Sequence, residues 1–486
     1  MKVEVTSADL NTLEGRCLLV LAKKDGTLLN VPESVQGPLA EIVAPLVESE
    51  EFGKSFGGKY YAVKPAGLAV GRVLFFNVGE KAEKHNDIRR ATAAGWKALR
   101  GMGHTELVIS LDGLDEVQTT AALEGLFLGS YQYTELKSEK DKLPKQLESL
   151  TVHVSDDLGD RVDRVHALCR GTNRARDLEQ MPANLLTPTR LADLAMEWSQ
   201  TAGFKTTILE EDEMRDLGMG SLLSVSQGSD QPGKLIIMDY QPESGSDKTF
   251  ALVGKAVTFD SGGLSLKPAN SMAEMKGDMG GGATVFGIMS VLKDLGFPHR
   301  VVGLVPSVEN MPGSRATRPS DVVTSLSGVT IEINNTDAEG RLILADALTY
   351  AGNYKPDYVI DFATLTGACL VALGPKVCGV MGNHQPLIDA ILEGGRDSHE
   401  LFWELPLVEE YKEMLKSDVA DISNISKSRW GGTITAGLFL QRFAGDYQWA
   451  HCDIACSIFE KGDEVHPGGG TGIGVRAGYL ALTKMA

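Results

Sequence analysis

Two short stretches hold charged residues at positions poorly suited to a core. The first, VGKAVTFDSGGLSLKPANSMAEMKGDMGGGATVFG (253–287), carries Lys255, Asp260, Lys267 and Asp278. The second, NTDAEGRL (335–342), carries Asp337, Glu339 and Arg341 at alternate positions. Taken singly, Asp260 or Asp278 reads as a turn or helix-cap residue beside glycine. Taken jointly, Asp260, Asp278, Asp337 and Glu339 bring four negative charges, which repel in one cleft unless they are protonated or neutralised. Two divalent cations would cancel them, leaving Lys267 and Arg341 to make the site positive and suited to an anionic intermediate. An oxygen-rich donor set suits Mn²⁺, Mg²⁺ or Zn²⁺ bridged by carboxylates. None of the nine histidines lies in either stretch. Two such ions roughly 3.5–4 Å apart can activate a shared water and clamp a polarised carbonyl or phosphoryl group. This reading reaches a two-metal hydrolase and leaves amide and phosphate ester both open.

The elements that must position these residues alternate between strand and helix. In the first part, CLLVLAK (17–23), RVLFFNVG (72–79), ELVISL (106–111) and LTVHVS (150–155) read as buried strands. Helices are expected over 87–103 and 119–131, and the charged segment 134–149 reads as a surface connection. A helix over 158–180 leads to a second, larger unit. There the strands are expected at 234–240, 249–259, 300–308, 358–365 and 447–455, with helices at 282–296 and 341–353. Such alternation predicts an α/β protein of two domains, with mostly parallel sheets. The expected limits are a smaller N-terminal α/β domain at 1–156, a linker helix at 157–180 and a larger catalytic α/β domain at 181–486. In open sheets of this kind, ligands sit at the carboxyl ends of the strands.

Composition removes several other classes. A net charge of −18 argues against broad nucleic-acid binding, although a clustered basic strip would escape that argument. The six cysteines are scattered, as expected of reduced thiols in a cytoplasmic protein. The N-terminus lacks the apolar run of a signal peptide, and no stretch is long and apolar enough to span a membrane. There is no H-E-x-x-H zinc motif. GKSFGGKY (53–60) satisfies the glycine and lysine spacing of a phosphate-binding loop, but Tyr60 stands where Ser or Thr would hold Mg²⁺. It reads as a loop. GGGTGIG (468–474) reads as tight backbone packing.

NTDAEGRL, together with VGKAVTFDSGG, KPANSMAEMKGDMGGGA and DFATLTGA, resembles the leucyl aminopeptidase family, the cytosolic leucine aminopeptidases and the bacterial aminopeptidase A type. The likeness runs from about residue 176 to the C-terminus, through RPSDVV, SDVADISN and WAHCDIA. The N-terminal part agrees only in size and α/β pattern. The resemblance implies a metallo-aminopeptidase, preferring Leu-like N-terminal residues, with two Mn²⁺ or Zn²⁺ ions per subunit. It implies Lys255, as a neutral amine, and Asp278 as ligands of one ion, Asp337 as a ligand of the other through side chain and carbonyl, and Asp260 and Glu339 as bridges. Lys267 would stabilise the gem-diolate, and Arg341 would hold a bicarbonate acting as general base. Thr364, Leu365 and Gly367 would receive the peptide backbone and line the first side-chain pocket, and Met275 would form a wall of that pocket. Gly340 would permit the sharp entry into the helix. The resemblance also implies a homohexamer of two stacked trimers, and some bacterial relatives bind DNA. One departure stands out: Cys456 follows DIA where the family usually has Gly, which bears on pocket shape near residues 456–459.

Overall fold

A computed structural model describes residues 1–13, 16–53, 55–79, 85–456 and 458–486. The chain divides into two compact units, Met1–Cys169 with Lys461–Gly468, and Arg170–Glu460 with Gly469–Ala486.

The first unit is built on a six-stranded sheet in the order Lys2–Thr6, Ser149–His153, Glu106–Ser110, Cys17–Ala22, Arg72–Asn77, Lys59–Val63. All neighbours are parallel except the last pair. Cys17–Ala22 is buried at every position because helices cover both faces, so it reads as a continuous apolar run. Leu19 and Leu21 pack with helices His85–Gly101 and Glu116–Gly129, while Leu18 and Val20 pack with helix Glu33–Glu48. The GKSFGGKY segment is a turn leading into the edge strand Lys59–Val63, with Gly53 and Gly57 at positive φ; its Lys54 lies outside the described residues.

The second unit holds a mixed sheet in the order Leu401–Glu404, Val377–Gly382, Gln448–Asp453, Tyr358–Ala363, Thr249–Gly254, Arg300–Asn310, Lys234–Tyr240, Phe204–Leu209. Its centre, from Gln448–Asp453 to Arg300–Asn310, is parallel. Helices Gly340–Ala351 and Gly432–Gln441 bury Leu344, Leu348 and Phe439 against Val253, Val359 and Trp449. The other face receives helix Gly280–Met289, whose glycines bring it close to the strands: a Cβ at Gly281 would stand 2.0 Å from Phe362 O.

Two expected elements differ in ways that matter for the site. The run 249–259 is not one strand but two, Thr249–Gly254 and Ala256–Asp260. At the break, Lys255 N donates to Phe362 O (3.0 Å) and Lys255 O accepts from Gly282 N (2.7 Å). Beyond it the chain stays beside Arg300–Asn310 alone, with a register shift between Val257 and Phe259. The helix expected over 282–296 begins at Gly280 and stops at Met289. Ser290 Oγ donates back to Gly287 O (2.8 Å), a local bond that competes with helix continuation.

Candidate metal centre

Five chain segments converge at the carboxyl ends of the central strands. Asp260 and Asn310 end adjacent strands and are register partners. Lys255 sits at the strand break, Thr364–Gly367 follow Tyr358–Ala363, and Asp453 ends Gln448–Asp453. NTDAEGRL runs from strand Thr330–Ile333 into helix Gly340–Ala351. Thr336 ties it to the DSGG turn, donating from Oγ1 to Gly262 O (2.7 Å) and accepting from Ser265 N (2.8 Å). Gly262 has φ +87°, and a Cβ there would lie 2.5 Å from Ser265 O and 2.9 Å from Asp337 Oδ1. Glycine is therefore required by both the backbone and the space.

The carboxylates meet in two pairs, each closed by a lysine. Lys255 Nζ lies 2.8 Å from Asp278 Oδ2 and 2.8 Å from Glu339 Oε1, and donates to Thr364 O at 2.8 Å. Lys267 Nζ lies 2.7 Å from Asp260 Oδ2 and 2.6 Å from Asp337 Oδ1. Asp260, Asp337 and Glu339 offer oxygens within 4.8 Å of one another, an arrangement that could hold a metal ion. Glu339 occupies the N-cap position of its helix but makes no cap bond; its carboxylate is turned to Lys255 instead.

The electrostatics follow from burial with too few positive charges. Burial, then the Glu339 charge, pushes Asp260 up to about 6. Burial also raises Asp278 and Asp337, despite the lysine each faces. Glu339 is the exception: against its burial, Lys255 and then Lys267 hold it below the usual range. Burial disfavours the ammonium of each lysine, but the carboxylates outweigh it and both are raised: Asp278 and Glu339 act on Lys255, and Asp260 acts on Lys267. Four carboxylates against two ammoniums leave this cluster two charges short of neutral. Asp278 Oδ2 and Asp337 Oδ1 are buried, each with a lysine ammonium against it at 2.8 and 2.6 Å. Buried, under-neutralised carboxylate oxygens clustered in this way suit divalent ions, and the residues present fit them.

Arg341 is buried beside this cluster. Its Nη1 donates to Asn424 O (2.7 Å), its guanidinium lies 5.9 Å from the Phe439 ring centre, and its Nε has no partner. Burial lowers it to about 10, so it keeps its charge at neutral pH. Of the expected peptide-receiving residues, Thr364 is brought to the cluster, donating from Oγ1 to Asp278 Oδ1 (2.8 Å). Leu365 follows it, Gly367 is exposed with open space about it, and half-buried Met275 opens the turn that carries Asp278.

Comparison with known proteins places the chain in a family. The family model described as "Cytosol aminopeptidase family, catalytic domain" matches residues 173–478. The companion model for the N-terminal domain matches residues 19–140. The chain belongs to the cytosol aminopeptidase family. It is 41% identical over 489 residues, 98% of each chain, to a "Probable cytosol aminopeptidase" of Syntrophotalea carbinolica. It is 40% identical over 511 residues, the full length of both, to one of Chlorobium limicola. A solved structure, "Bottromycin maturation enzyme BotP in complex with Mn", is similar with TM-score 0.84 and 34% identity, covering 97% of this chain and 99% of that one. The protein is thus a metal-dependent aminopeptidase of this family, a hydrolase. Among the described residues, no helix is long and apolar enough to cross a membrane.

Several expectations are corrected. The N-terminal part resembles the family in sequence as well as in pattern. Gly340 does not serve a sharp backbone entry, for it lies in the helix itself; it is needed because Lys255 crosses it, and a Cβ would stand 2.6 Å from Lys255 Cδ and 2.7 Å from Cε and Nζ. Cys456 is buried, and its proximity, then burial, raises the Cys369 thiol. In the 456–459 segment, Ile458 and Phe459 pack on Gly280 and Gly277, and Ser457 lies outside the described residues. The glycine-dense loop packs as expected: a Cβ at Gly472 would stand 2.5 Å from Thr172 O.

Three supporting residues carry no spacing signal in the sequence. Asn310 bonds Asp260 directly. Asn424 uses its side chain to accept from Asn334 N (2.8 Å) and donate to Asn335 O (2.7 Å) while its carbonyl holds Arg341. Asp453 accepts from Leu365 N (3.2 Å) and Thr366 Oγ1 (2.6 Å), fixing the strip after Thr364.

Proposed function

We propose that the chain releases N-terminal residues, Leu-like by preference, from peptides with two divalent ions, Mn²⁺ or Zn²⁺, and a bicarbonate. The observation that supports this most is the pair of lysine-closed carboxylate sites sharing one cluster. Lys255 and Asp278 would hold one ion, Asp337 the other, and Asp260 and Glu339 both. When bound, the ions supply an activated water and a polarised carbonyl, and the bicarbonate supplies a general base. Lys267 keeps its proton through neutral pH and so presents an ammonium to a developing oxyanion. Arg341 has a buried, unpartnered Nε–H available to an anion. Thr364, Leu365 and Gly367 would align the peptide backbone, and Met275 would wall the first side-chain pocket. Hydrolysis of a panel of aminoacyl amides, with the protein reconstituted with Mn²⁺ or Zn²⁺, tests the reading. Cleavage of Leu-like amides first is expected, and no cleavage of any amide would remove it.

Arg341→Ala is expected to keep both ions and lose rate by ~10²–10⁴-fold, the span of general base catalysis. Added bicarbonate should rescue it poorly. Steady-state kinetics beside metal analysis checks this, and unchanged activity would remove the anion-holding role.

The pH dependence has a definite sign. Lys255 must release its proton to become a ligand, and Asp260 takes one up as pH falls through about 6. In both cases protons compete with metal, so occupancy and rate should rise with pH to an optimum above neutral. A pH–rate profile peaking near pH 5 would contradict the amine ligand.

We further infer a cytoplasmic homohexamer of two trimers whose sites face a shared interior, admitting short peptides. Light scattering should give about six times the 52.1 kDa chain, and a fully active monomer would contradict the enclosure. The net charge of −18 weighs against a DNA-binding role.

A further inference from the structure

We infer that Asn310 is the positioning residue that sets Asp260 against Glu339, and through them the affinity for both ions; this rests on the two-ion reading above. Asn310 is 5% exposed and ends strand Arg300–Asn310 directly opposite Asp260. Its Nδ2 donates to Asp260 Oδ1 (2.8 Å) and to Thr336 O (3.0 Å), with Glu339 Oε2 at 3.5 Å. One amide thus reaches the DSGG turn and the NTDAEGRL loop, which lie far apart in sequence. Its orientation is fixed by chemistry, because a carboxylate and a carbonyl both accept, so the NH₂ must face them. The residue is itself anchored: Asn310 O accepts from Ser261 N (3.0 Å) and Ser261 Oγ (2.7 Å).

The division of labour among the oxygens gives Asn310 its importance. Asp260 Oδ1 is saturated by Asn310 and by Gly262 N (2.8 Å), which leaves Oδ2 turned toward Lys267. Glu339 likewise turns Oε1 to Lys255 and Oε2 toward Asn310. A neutral donor can do this without adding the charge that a Lys or Arg would bring, which would repel a metal ion. Asp at this position would accept where a donor is needed. Residues that orient metal ligands in this way typically change metal affinity by ~10–100-fold when removed.

The test is a metal titration of the metal-stripped full chain with Mn²⁺ and with Zn²⁺, read by competition with a chromophoric chelator. Asn310→Ala should weaken binding ~10–100-fold, with both ions affected because Asp260 and Glu339 are both released. Asn310→Ser, smaller but polar, cannot reach Asp260 and Thr336 and should weaken binding in the same direction. Thermal unfolding of the stripped variants should stay near that of the stripped wild type, separating positioning from a general loss of fold. A wild type that binds two ions beside Asn310 variants that bind them equally well overturns this inference alone. A wild type that binds no divalent ion overturns the two-ion reading and the inference with it.

Discussion

Glu339→Ala is expected to empty two metal positions rather than one and to lower kcat/KM by at least about 10³-fold. The carboxylate lies 2.8 Å from Lys255, on the side of Asp278, and shares a cluster with Asp260 and Asp337 on the side of Lys267. Glu339 thus belongs to the Lys255 pair and brings an oxygen within reach of both carboxylates of the Lys267 pair. Metal ions contribute several kcal/mol of transition-state stabilisation, and each 1.36 kcal/mol is tenfold in rate. The substitution also leaves the Lys255 ammonium with one carboxylate instead of two, in a buried setting where unbalanced charge is costly. Metal analysis and kinetics on the same sample check the result. Retention of two ions per chain would show that Glu339 is not shared.

Gly340→Ala, a change of one methyl group, should reduce activity by about 10²-fold while the fold survives. The new Cβ would stand within 2.6–2.7 Å of the last three atoms of Lys255. The lysine cannot simply swing aside, because Asp278, Glu339 and Thr364 O hold its Nζ from three directions. Either the lysine or the first turn of helix Gly340–Ala351 must therefore shift. Overpacking of this kind costs typically 1–3 kcal/mol, and a misplacement of about 1 Å at a reacting centre costs on the order of 10² in rate. The expected signature is a modest fall in Tm beside a large fall in kcat. A variant with wild-type rate would mean that Lys255 does not need its observed path.

Both substitutions concern residues visible as motif letters in the sequence, yet only one of the two roles was legible there. The carboxylates stood out because Asp260 ends a strand at a glycine turn and Asp278 stands just before a run of glycines, where a core residue is unexpected. The charge sum of Asp260, Asp278, Asp337 and Glu339 then pointed to cations. The reason for Gly340 was not legible, since Lys255 reaches it from a segment 85 positions earlier and no local pattern records that crossing. Asn310 and Asn424 were hidden for the same reason: an uncharged amide has no spacing rule, and each acts across the fold. The central strands were legible because burial on both faces makes them continuous apolar runs. Edge strands such as Lys2–Thr6 and Lys59–Val63 are largely exposed and carry no such run. The short sheet of Asp321–Thr324, Thr330–Ile333 and Ile422–Ser423, which delivers the chain to NTDAEGRL, was missed because its strands are too short for periodicity to register.

The central claim is that hydrolysis needs ions held by this cluster and acts at a free amino terminus. The most direct measurement compares release of leucine from a leucyl peptide by metal-stripped and Mn²⁺-reconstituted protein, with the N-acetylated peptide alongside. The account predicts no release from stripped protein, recovery as two ions bind per chain, and no cleavage of the acetylated peptide. Full activity in the stripped protein, or equal cleavage of the acetylated peptide, would contradict it.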